Sequence, residues 1–231
     1  MNRPNFLRRT RTSPADVTVD GPFGSFTLRH TVAEEMRLLA RRQDLSSASG
    51  RVIAICSTVR GEGATFVTRS LGAAIAHDTG RTVCVVDCDW TEDEGDDATG
   101  LAGYLAGTVD ANTFVQATSL ESLSYIPAGS VSLSGRAPAA NSQALANLIG
   151  DLSSEYELVL LDVPPLSASA HALALAHLAD ESILVVRQGG VPVERIEQVM
   201  SDLGEDHVAG VVLNDAKIRS PAWLVSPLIA G

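Results

Sequence analysis

A short polar loop between an apolar run and a helical pattern has the composition of a phosphate-binding loop. It comprises residues 57–65 (STVRGEGAT) and directly follows the run RVIAIC. Backbone N–H groups of such a loop converge on an anion, and the following helix adds positive potential. A phosphate loop reads G-x-x-x-x-G-K-[ST]. Gly63 and Thr65 fit this pattern, but Thr58 stands at the first glycine and Ala64 at the lysine. The loop is therefore either an anion cradle or a tight strand-to-helix turn.

Carboxylates end two further apolar runs. Asp87 and Asp89 follow TVCVV, and Asp162 ends LVLLD. An unpaired carboxylate is costly to bury, so a Mg²⁺ ion, an attacking water or a helix cap must satisfy these groups. Together with the loop they favour a nucleotide–Mg²⁺ site, with Thr65, Asp87 and Asp162 as metal residues. Asn214, at the end of the last apolar run, either reads a base edge or forms a turn.

The surrounding segments predict an α/β fold. Runs of nearly continuous Val, Ile and Leu are typical of strands buried on both faces, and most of them alternate with helical segments. This order predicts a doubly wound, mostly parallel sheet with helices on both faces, whose ligands bind beyond the carboxyl ends of the strands. The predicted strands are 51–56, 82–87, 123–126, 158–162, 182–186 and 208–214, and the predicted helices are 30–44, 65–79, 142–152, 169–178 and 193–203.

Composition limits the remaining possibilities. The 231 residues include 17 basic and 28 acidic side chains, for a net charge of −11, which argues against general nucleic-acid binding. We expect a flexible Arg-rich tail over 1–29, one folded domain over 30–219 and a C-terminal tail over 220–231. The three cysteines are too few for a disulfide framework. With no signal-peptide pattern and no long apolar run, the expected compartment is the cytoplasm.

In these motifs the chain resembles the ATPase domain of bacterial tyrosine kinases, which regulate capsule and exopolysaccharide production. The larger group is that of P-loop ATPases, including the partition and division-site ATPases. The family's T-S-x-x-P-G-E-G-K-S/T corresponds to residues 56–65, its D-x-D to 87–89 and its Y-D-x-V-I-I-D-T-P-P to 156–165. The resemblance implies a P-loop NTPase fold that binds ATP or ADP with Mg²⁺. The implied catalytic residues are Asp87, Asp89 and Asp162, and the implied nucleotide-binding residues are Arg60, Gly61, Glu62, Gly63, Ala64, Thr65, Phe66 and Asn214.

The departures from the family pattern concern its chemistry. The loop lysine is Ala64, and the family's acid after the Pro-Pro pair falls on His171. The basic residues that follow D-x-D in the family are replaced here by residues 91–94 (TEDE), which overlap the acidic run 92–97. The family's C-terminal tyrosine cluster is absent. The backbone amides and Thr65 remain, and Arg60 is a candidate substitute for the lysine. Nucleotide binding is therefore expected to be weakened and fast phosphoryl transfer to be lost.

Three functions are compatible with these residues. The first is a degenerate kinase-like protein that regulates exopolysaccharide or capsule assembly by binding a partner. The second is an active ATPase or tyrosine autokinase of the same pathway, and the third is an ATPase that positions complexes at the membrane. By resemblance, the partner is a membrane chain-length regulator, or polysaccharide co-polymerase, which would recruit the chain to the inner face of the plasma membrane. The helix containing Glu34, Arg37 and Arg41 corresponds to the family's ring-forming interface and predicts self-association.

Overall fold

The computed structural model describes residues 16–45, 49–90, 100–167 and 170–216. The predicted acidic run 92–97 and the predicted C-terminal tail therefore lie outside the described residues. In chain order the elements are β1 (Val17–Gly21), β2 (Gly24–Leu28), α1 (His30–Arg42), β3 (Arg51–Ser57), α2 (Ala64–Thr79), β4 (Val83–Asp87), α3 (Gly100–Leu105), α4 (Ala111–Phe114), β5 (Gln116–Ala117), β6 (Leu123–Ile126), α5 (Leu133–Ala140), α6 (Gln143–Glu155), β7 (Leu158–Asp162), α7 (Ala170–Ala176), β8 (Glu181–Arg187), α8 (Val193–Leu203) and β9 (Val208–Asn214).

Seven strands form a single sheet in the order β5-β6-β4-β7-β3-β8-β9. All neighbouring pairs are parallel except β5 and β6, which are antiparallel. The central strands are almost wholly apolar, as expected where helices cover both faces. The predicted doubly wound, mostly parallel sheet is confirmed.

The core lies in two layers, one on each face of the sheet. Along β3, Ile53 and Ile55 face the layer of α1 and α2, while Ala54 and Cys56 face the layer of α6, α7 and α8. This alternation follows from the period of two along a strand. Burial raises the pKa of the Cys56 thiol to about 12, so this cysteine is a small core residue.

The N-terminal segment is partly folded, which corrects the expected tail over 1–29. Strands β1 and β2 pair as an antiparallel hairpin, from Val17 opposite Leu28 to Gly21 opposite Gly24. Val19 and Leu28 are fully buried in the core layer of α1 and α2. The prediction is wrong here because apolar and polar residues alternate over 17–20 (VTVD) and 25–28 (SFTL), which is the pattern of half-buried strands. Residues 1–15 lie outside the described part of the chain.

Helix α1 is bonded to α2 through Arg37. Its guanidinium donates to both carboxylate oxygens of Asp78, with Nη2 at 2.9 Å from Oδ1, and to Glu34 at 2.6 Å. The bond from Arg37 lowers the pKa of the Asp78 carboxyl. Two of the three residues predicted for self-association thus form contacts within the chain, while Arg41 is exposed. Among the helices of the described residues, none combines the length and the hydrophobicity that a transmembrane span requires.

Candidate functional site

The phosphate-type loop connects β3 to the N-terminus of α2 at the carboxyl edge of the sheet. Gly61 and Gly63 both have positive φ, at +86° and +98°, a conformation that side chains other than glycine rarely adopt. Gly63 is also the N-cap residue of α2. The loop therefore needs glycine at both positions, and this geometry is the basis of the G-E-G sequence.

The side chain of Glu62 shapes the loop from inside. It is 2% exposed, and its Oε2 accepts hydrogen bonds from the backbone N–H groups of Thr58 at 2.7 Å and Val59 at 2.9 Å. Its Oε1 accepts from the N–H of Arg187 at 3.3 Å. Glu62 was predicted to bind nucleotide; in the structure its carboxylate is bonded to the protein backbone, so only its backbone remains available to a ligand.

Asn214 also holds the loop. Its Nδ2 donates to the carbonyl oxygen of Glu62 at 2.8 Å, and its Oδ1 accepts from the N–H of Asp215 at 2.9 Å. Both ends of the amide are thus bonded to backbone groups. Of the two readings left open by the sequence, base recognition and turn formation, the contacts agree with a structural role.

Two of the predicted acids lie side by side at the edge of the sheet. Asp87 and Asp162 are opposite each other in the register of β4 and β7. Asp162 is 2% exposed. Burial, and next the charge of Asp87, raise its pKa well above the usual range, while a hydrogen bond with the Thr65 side chain acts in the opposite direction. The structure therefore brings together the three residues predicted to hold Mg²⁺.

Asp87 belongs to a second set of contacts. The hydroxyl of Tyr125 donates to Asp87 Oδ2 at 2.6 Å, and Arg69 Nη2 lies 3.6 Å from the same oxygen. The N–H of Asp89 donates to Asp87 Oδ1 at 3.0 Å. Burial raises the pKa of Asp87, although the bond from Tyr125 lowers it. Arg60 lies near Asp89, with 3.7 Å between Nη2 and Oδ2.

A cleft of about 460 Å³ opens over these groups. It is bounded by the loop and the start of α2, by Asp89, and by two aromatic rings of the hairpin, Phe23 and Phe26. The buried Ala64 occupies the lysine position and presents only a methyl group. No set of three or more His, Cys, Asp or Glu among the described residues is arranged to hold a metal. Thr65, Asp87 and Asp162 carry the hydroxyl and carboxylate oxygens that could hold a Mg²⁺ ion, which takes few protein ligands at nucleotide sites.

His171, at the position of the family's acid, is a core residue of α7. It is 6% exposed and its ring is stacked on Trp90 with 6.1 Å between ring centroids. Burial lowers its pKa, which favours the neutral ring. These contacts agree with the structural reading of this histidine.

Three residues of the site were missed from the sequence, namely Phe23, Arg69 and Tyr125. The signal for Arg69 was its spacing, because it follows Thr65 by one helical turn and so lies on the same face of α2. The contacts of Phe23 and Tyr125 connect separate parts of the chain, and no local pattern reveals them.

Comparisons with known proteins agree with this geometry. A family model described as "Cellulose biosynthesis protein BcsQ" matches residues 51–208. Tyrosine-protein kinase Wzc of Salmonella typhimurium is 27% identical over 187 residues. That match covers 78% of this chain and 26% of Wzc, so the chain spans about a quarter of the length of this relative.

Solved structures show the same fold. The kinase domain of Escherichia coli tyrosine kinase ETK superposes with a TM-score of 0.73 at 22% identity, covering 83% of this chain and 78% of that domain. The septum site-determining protein MinD of Pyrococcus horikoshii, solved with Mg-ADP, gives a TM-score of 0.57 at 24% identity, covering 77% and 76%. The fold is therefore that of the P-loop NTPases. With a family model matched over residues 51–208, the chain belongs to the family described as cellulose biosynthesis protein BcsQ and is similar to the kinase domains of bacterial tyrosine kinases.

Proposed function

We propose that this chain is a tyrosine-kinase-like P-loop protein that regulates exopolysaccharide or capsule biosynthesis and export through partner binding, with weak or absent nucleotide hydrolysis. The observation that carries the proposal is the methyl group of Ala64 at the first position of α2. The family's lysine at this point sets a positive charge against the β- and γ-phosphates, where charge builds up during transfer. A loop that keeps its turn but lacks this cation is better suited to binding than to transfer.

The proposed ligand is ATP or ADP with Mg²⁺. The backbone N–H groups at the N-terminus of α2 would bind the phosphates, and Thr65, Asp87 and Asp162 would hold the ion. A charge-assisted hydrogen bond is worth about 1.5–3 kcal/mol, so loss of the lysine lowers affinity by about 10- to 100-fold. Calorimetry with Mg·ADP measures this affinity directly. Absence of binding up to millimolar concentration would refute the nucleotide part of the proposal.

An active ATPase or tyrosine autokinase is the second candidate. It is favoured by the adjacency of Asp87 and Asp162 beside Thr65, and by Arg60 and Asp89 at the same cleft. Hydrolysis of Mg·ATP by the native protein and by Ala64→Lys separates the two. If the native protein is degenerate, Ala64→Lys should raise its rate of hydrolysis by at least about tenfold, because the lysine stabilises the transferring phosphoryl group. Ala137→Lys on the exposed face of α5 is the matched control. Turnover by the native protein at the rate of the lysine variant would favour the active enzyme.

The proposed partner is a membrane chain-length regulator or polysaccharide co-polymerase, which would recruit the chain to the inner face of the plasma membrane. Deletion of the gene in its own bacterium should lower polysaccharide output. Complementation with Asp162→Asn tests the mode of action, because a regulator that acts by binding keeps its effect without a catalytic carboxylate. Failure of that variant, at native expression level, would show that polysaccharide output depends on the nucleotide–Mg²⁺ site and not on partner binding alone.

Self-association through α1 is also proposed, by way of Glu34, Arg37 and Arg41. Sedimentation of Arg37→Glu against the native protein tests it, with the exposed Arg195→Glu on α8 as a charge control. An oligomer held by α1 should dissociate in the first variant alone. An unchanged sedimentation coefficient would exclude this interface.

A further inference from the structure

We infer that Arg69 supplies the positive charge that meets a bound phosphate in place of the lysine missing at Ala64. This inference rests on the nucleotide binding proposed above and names a further residue of that site. Neither the loop motif nor the two acidic motifs contain Arg69, since it lies within α2 beyond the end of the loop.

Arg69 reaches the right place from the helix that the loop begins. It lies four residues after Thr65, on the same face of α2. It lines the same cleft as Gly63, Ala64 and Thr65. A phosphorylated ligand that fills this cleft from the loop outwards therefore meets the wall that contains Arg69.

The charges around the cleft require such a cation. Asp87, Asp89 and Asp162 lie together at the ends of β4 and β7, with Asp87 opposite Asp162 in register and Asp89 two residues further along the chain. A phosphate adds further negative charge. Among the cleft-lining residues of the described chain, the basic ones are Arg60 and Arg69. Arg60 is 54% exposed and lies 3.7 Å from Asp89, whereas Arg69 is 27% exposed and lies 3.6 Å from Asp87.

The guanidinium of Arg69 is fixed in advance. Its central carbon lies 5.1 Å from the ring centroid of Phe23 and 5.5 Å from that of Tyr125. Its Nη2 donates to the hydroxyl of Tyr125 at 3.0 Å. Its Nε is buried and has no hydrogen-bond partner among the described residues. Because these contacts restrict the side chain before a ligand arrives, binding a phosphate costs little further side-chain entropy.

Calorimetry tests the inference on the full chain, with Mg·ADP and with inorganic pyrophosphate as ligands. Arg69→Gln should weaken both by about 10- to 100-fold, the usual effect of losing one charge-assisted bond. Pyrophosphate is included because it lacks a base and a sugar. Weaker binding of pyrophosphate therefore shows that the substitution acts at the phosphates. Arg195→Gln removes an equal charge from the exposed surface of α8 and should bind as the native protein does.

A structural role for Arg69 predicts a different pattern. Tyr125→Phe removes the hydroxyl that Arg69 and Asp87 share but keeps the guanidinium, so it should weaken binding by less than about threefold, whereas a loss equal to that of Arg69→Gln would overturn the inference. If Arg69→Gln lacks a cooperative thermal transition, Arg69→Met, which keeps the apolar stem between the two rings, takes its place in the same comparison. If the native protein binds the ligand and the Arg69 variant binds it with an affinity within twofold of the native value, the inference is overturned and the proposed function stands. No binding by the native protein overturns both.

Discussion

The side-chain Nδ2 of Asn214 lies 2.8 Å from the carbonyl oxygen of Glu62, which joins the last strand of the sheet to the phosphate-type loop. The loop follows β3, and β9 is separated from β3 by β8. The bond therefore fixes the loop to a part of the sheet that is 152 residues away in sequence. The shape of the loop depends on the whole edge of the sheet as well as on its own glycines.

Replacing Asn214 should loosen the loop. We expect Asn214→Ala to lower the free energy of unfolding by about 1–2 kcal/mol, since it removes one hydrogen bond and leaves the Glu62 carbonyl without its donor. Mg·ADP affinity should fall as well, because the loop amides lose their alignment. Urea denaturation and calorimetry measure the two effects. Asn141→Ala is the control, because its amide makes a similar 2.8 Å bond to a backbone carbonyl at an exposed helix end; an equal effect there would contradict the prediction.

Gly63 should tolerate a side chain less well than Gly61 does. A Cβ at Gly63 would lie 2.2 Å from Asn214 Nδ2, whereas a Cβ at Gly61 would meet nothing within 4 Å. Both glycines have positive φ, which costs about 1–2 kcal/mol for another residue. We expect Gly61→Ala to lose about this amount of unfolding free energy and Gly63→Ala to lose more.

A double-mutant cycle isolates the clash in that pair. Asn214→Ala removes the atom that the new methyl group of Gly63→Ala meets. The double variant should therefore lose less unfolding free energy than the two single variants lose together. Strictly additive losses in urea denaturation would show that the two residues do not interfere.

The buried Asp162 should make the ligand-free protein less stable as the pH rises. Its folded-state pKa is raised well above the usual range, and its unfolded-state pKa is about 3.9. Between these two values the native state binds more protons than the unfolded chain, so the free energy of unfolding falls as pH rises through that interval.

Asp162→Asn should remove the part of this dependence that Asp162 causes, while the part due to Asp87, whose pKa burial also raises, remains. We expect the variant to gain about 1 kcal/mol of unfolding free energy at pH 7.5, because a neutral amide replaces a buried charge beside Asp87, and to gain less at pH 4.5. Urea denaturation at the two pH values measures the difference. Asp151→Asn, on the exposed face of α6, should change neither value. A gain that is the same at both pH values would show that ionisation of Asp162 is not its cause.

Local patterns predicted the central fold and the position of the site well. The near-continuous apolar runs required buried strands, and the acids that ended them had to meet at one edge of the sheet. Asp87 and Asp162 are indeed neighbours in register. The two glycines of the G-E-G loop also predicted a tight turn, because glycine is the residue that most readily adopts positive φ. The structure has positive φ at both Gly61 and Gly63.

The direction of side chains was not predictable in the same way. Glu62 lies inside the motif, yet its carboxylate turns inward to the amides of Thr58 and Val59. Asn214 ends a strand, yet its partner is in the loop. The Asn214 contact joins segments 152 residues apart, whereas the Glu62 contacts to Thr58 and Val59 are local. A sequence pattern predicts neither, because it records residue types but not the directions of side chains. The hairpin was not predicted for a related reason. Its stability depends on the core surface that it covers, which other parts of the chain provide.

The contact between Arg37 and Asp78 should protect the protein against acid. The folded-state pKa of Asp78 is lowered, mainly by the hydrogen bonds from Arg37. The stabilisation is therefore complete above about pH 4, the unfolded-state value, and is lost as pH falls through the folded-state pKa of Asp78. Arg37→Met should cost about 1 kcal/mol at pH 7, at the upper end for partly exposed pairs, and less at pH 2.5.

A second arginine pair is the control for this effect. Arg187 and Asp215 form an ion pair at 2.9 Å in which both side chains are more than half exposed. Water screens such a pair strongly, so Arg187→Met should change stability by only a few tenths of a kcal/mol. Equal losses for the two variants, in denaturation at both pH values, would show that the smaller exposure of the Arg37–Asp78 pair adds nothing to its contribution.

Phe23 should anchor the N-terminal hairpin over the cleft. Its ring meets that of Tyr125 edge-on at 4.9 Å and that of Phe26 at 5.6 Å, and Arg69 lies over its face. Aromatic pairs are each worth about 0.5–1.5 kcal/mol, and an exposed cation–π contact is worth about 0.5–1 kcal/mol. Phe23→Ala should therefore lower the free energy of local opening of β1 and β2 by about 1–3 kcal/mol.

Hydrogen exchange followed peptide by peptide measures that local opening. Amides of residues 17–28 should exchange faster in Phe23→Ala, while those of β3 and β7 keep their native rates because the central sheet does not depend on the hairpin. The control is Phe66→Ala, since Phe66 lines the same cleft but is 48% exposed and belongs to α2. It should leave exchange in the hairpin unchanged. Faster exchange across the whole chain in Phe23→Ala would mean that the hairpin belongs to the global folding unit and does not open as a separate cover.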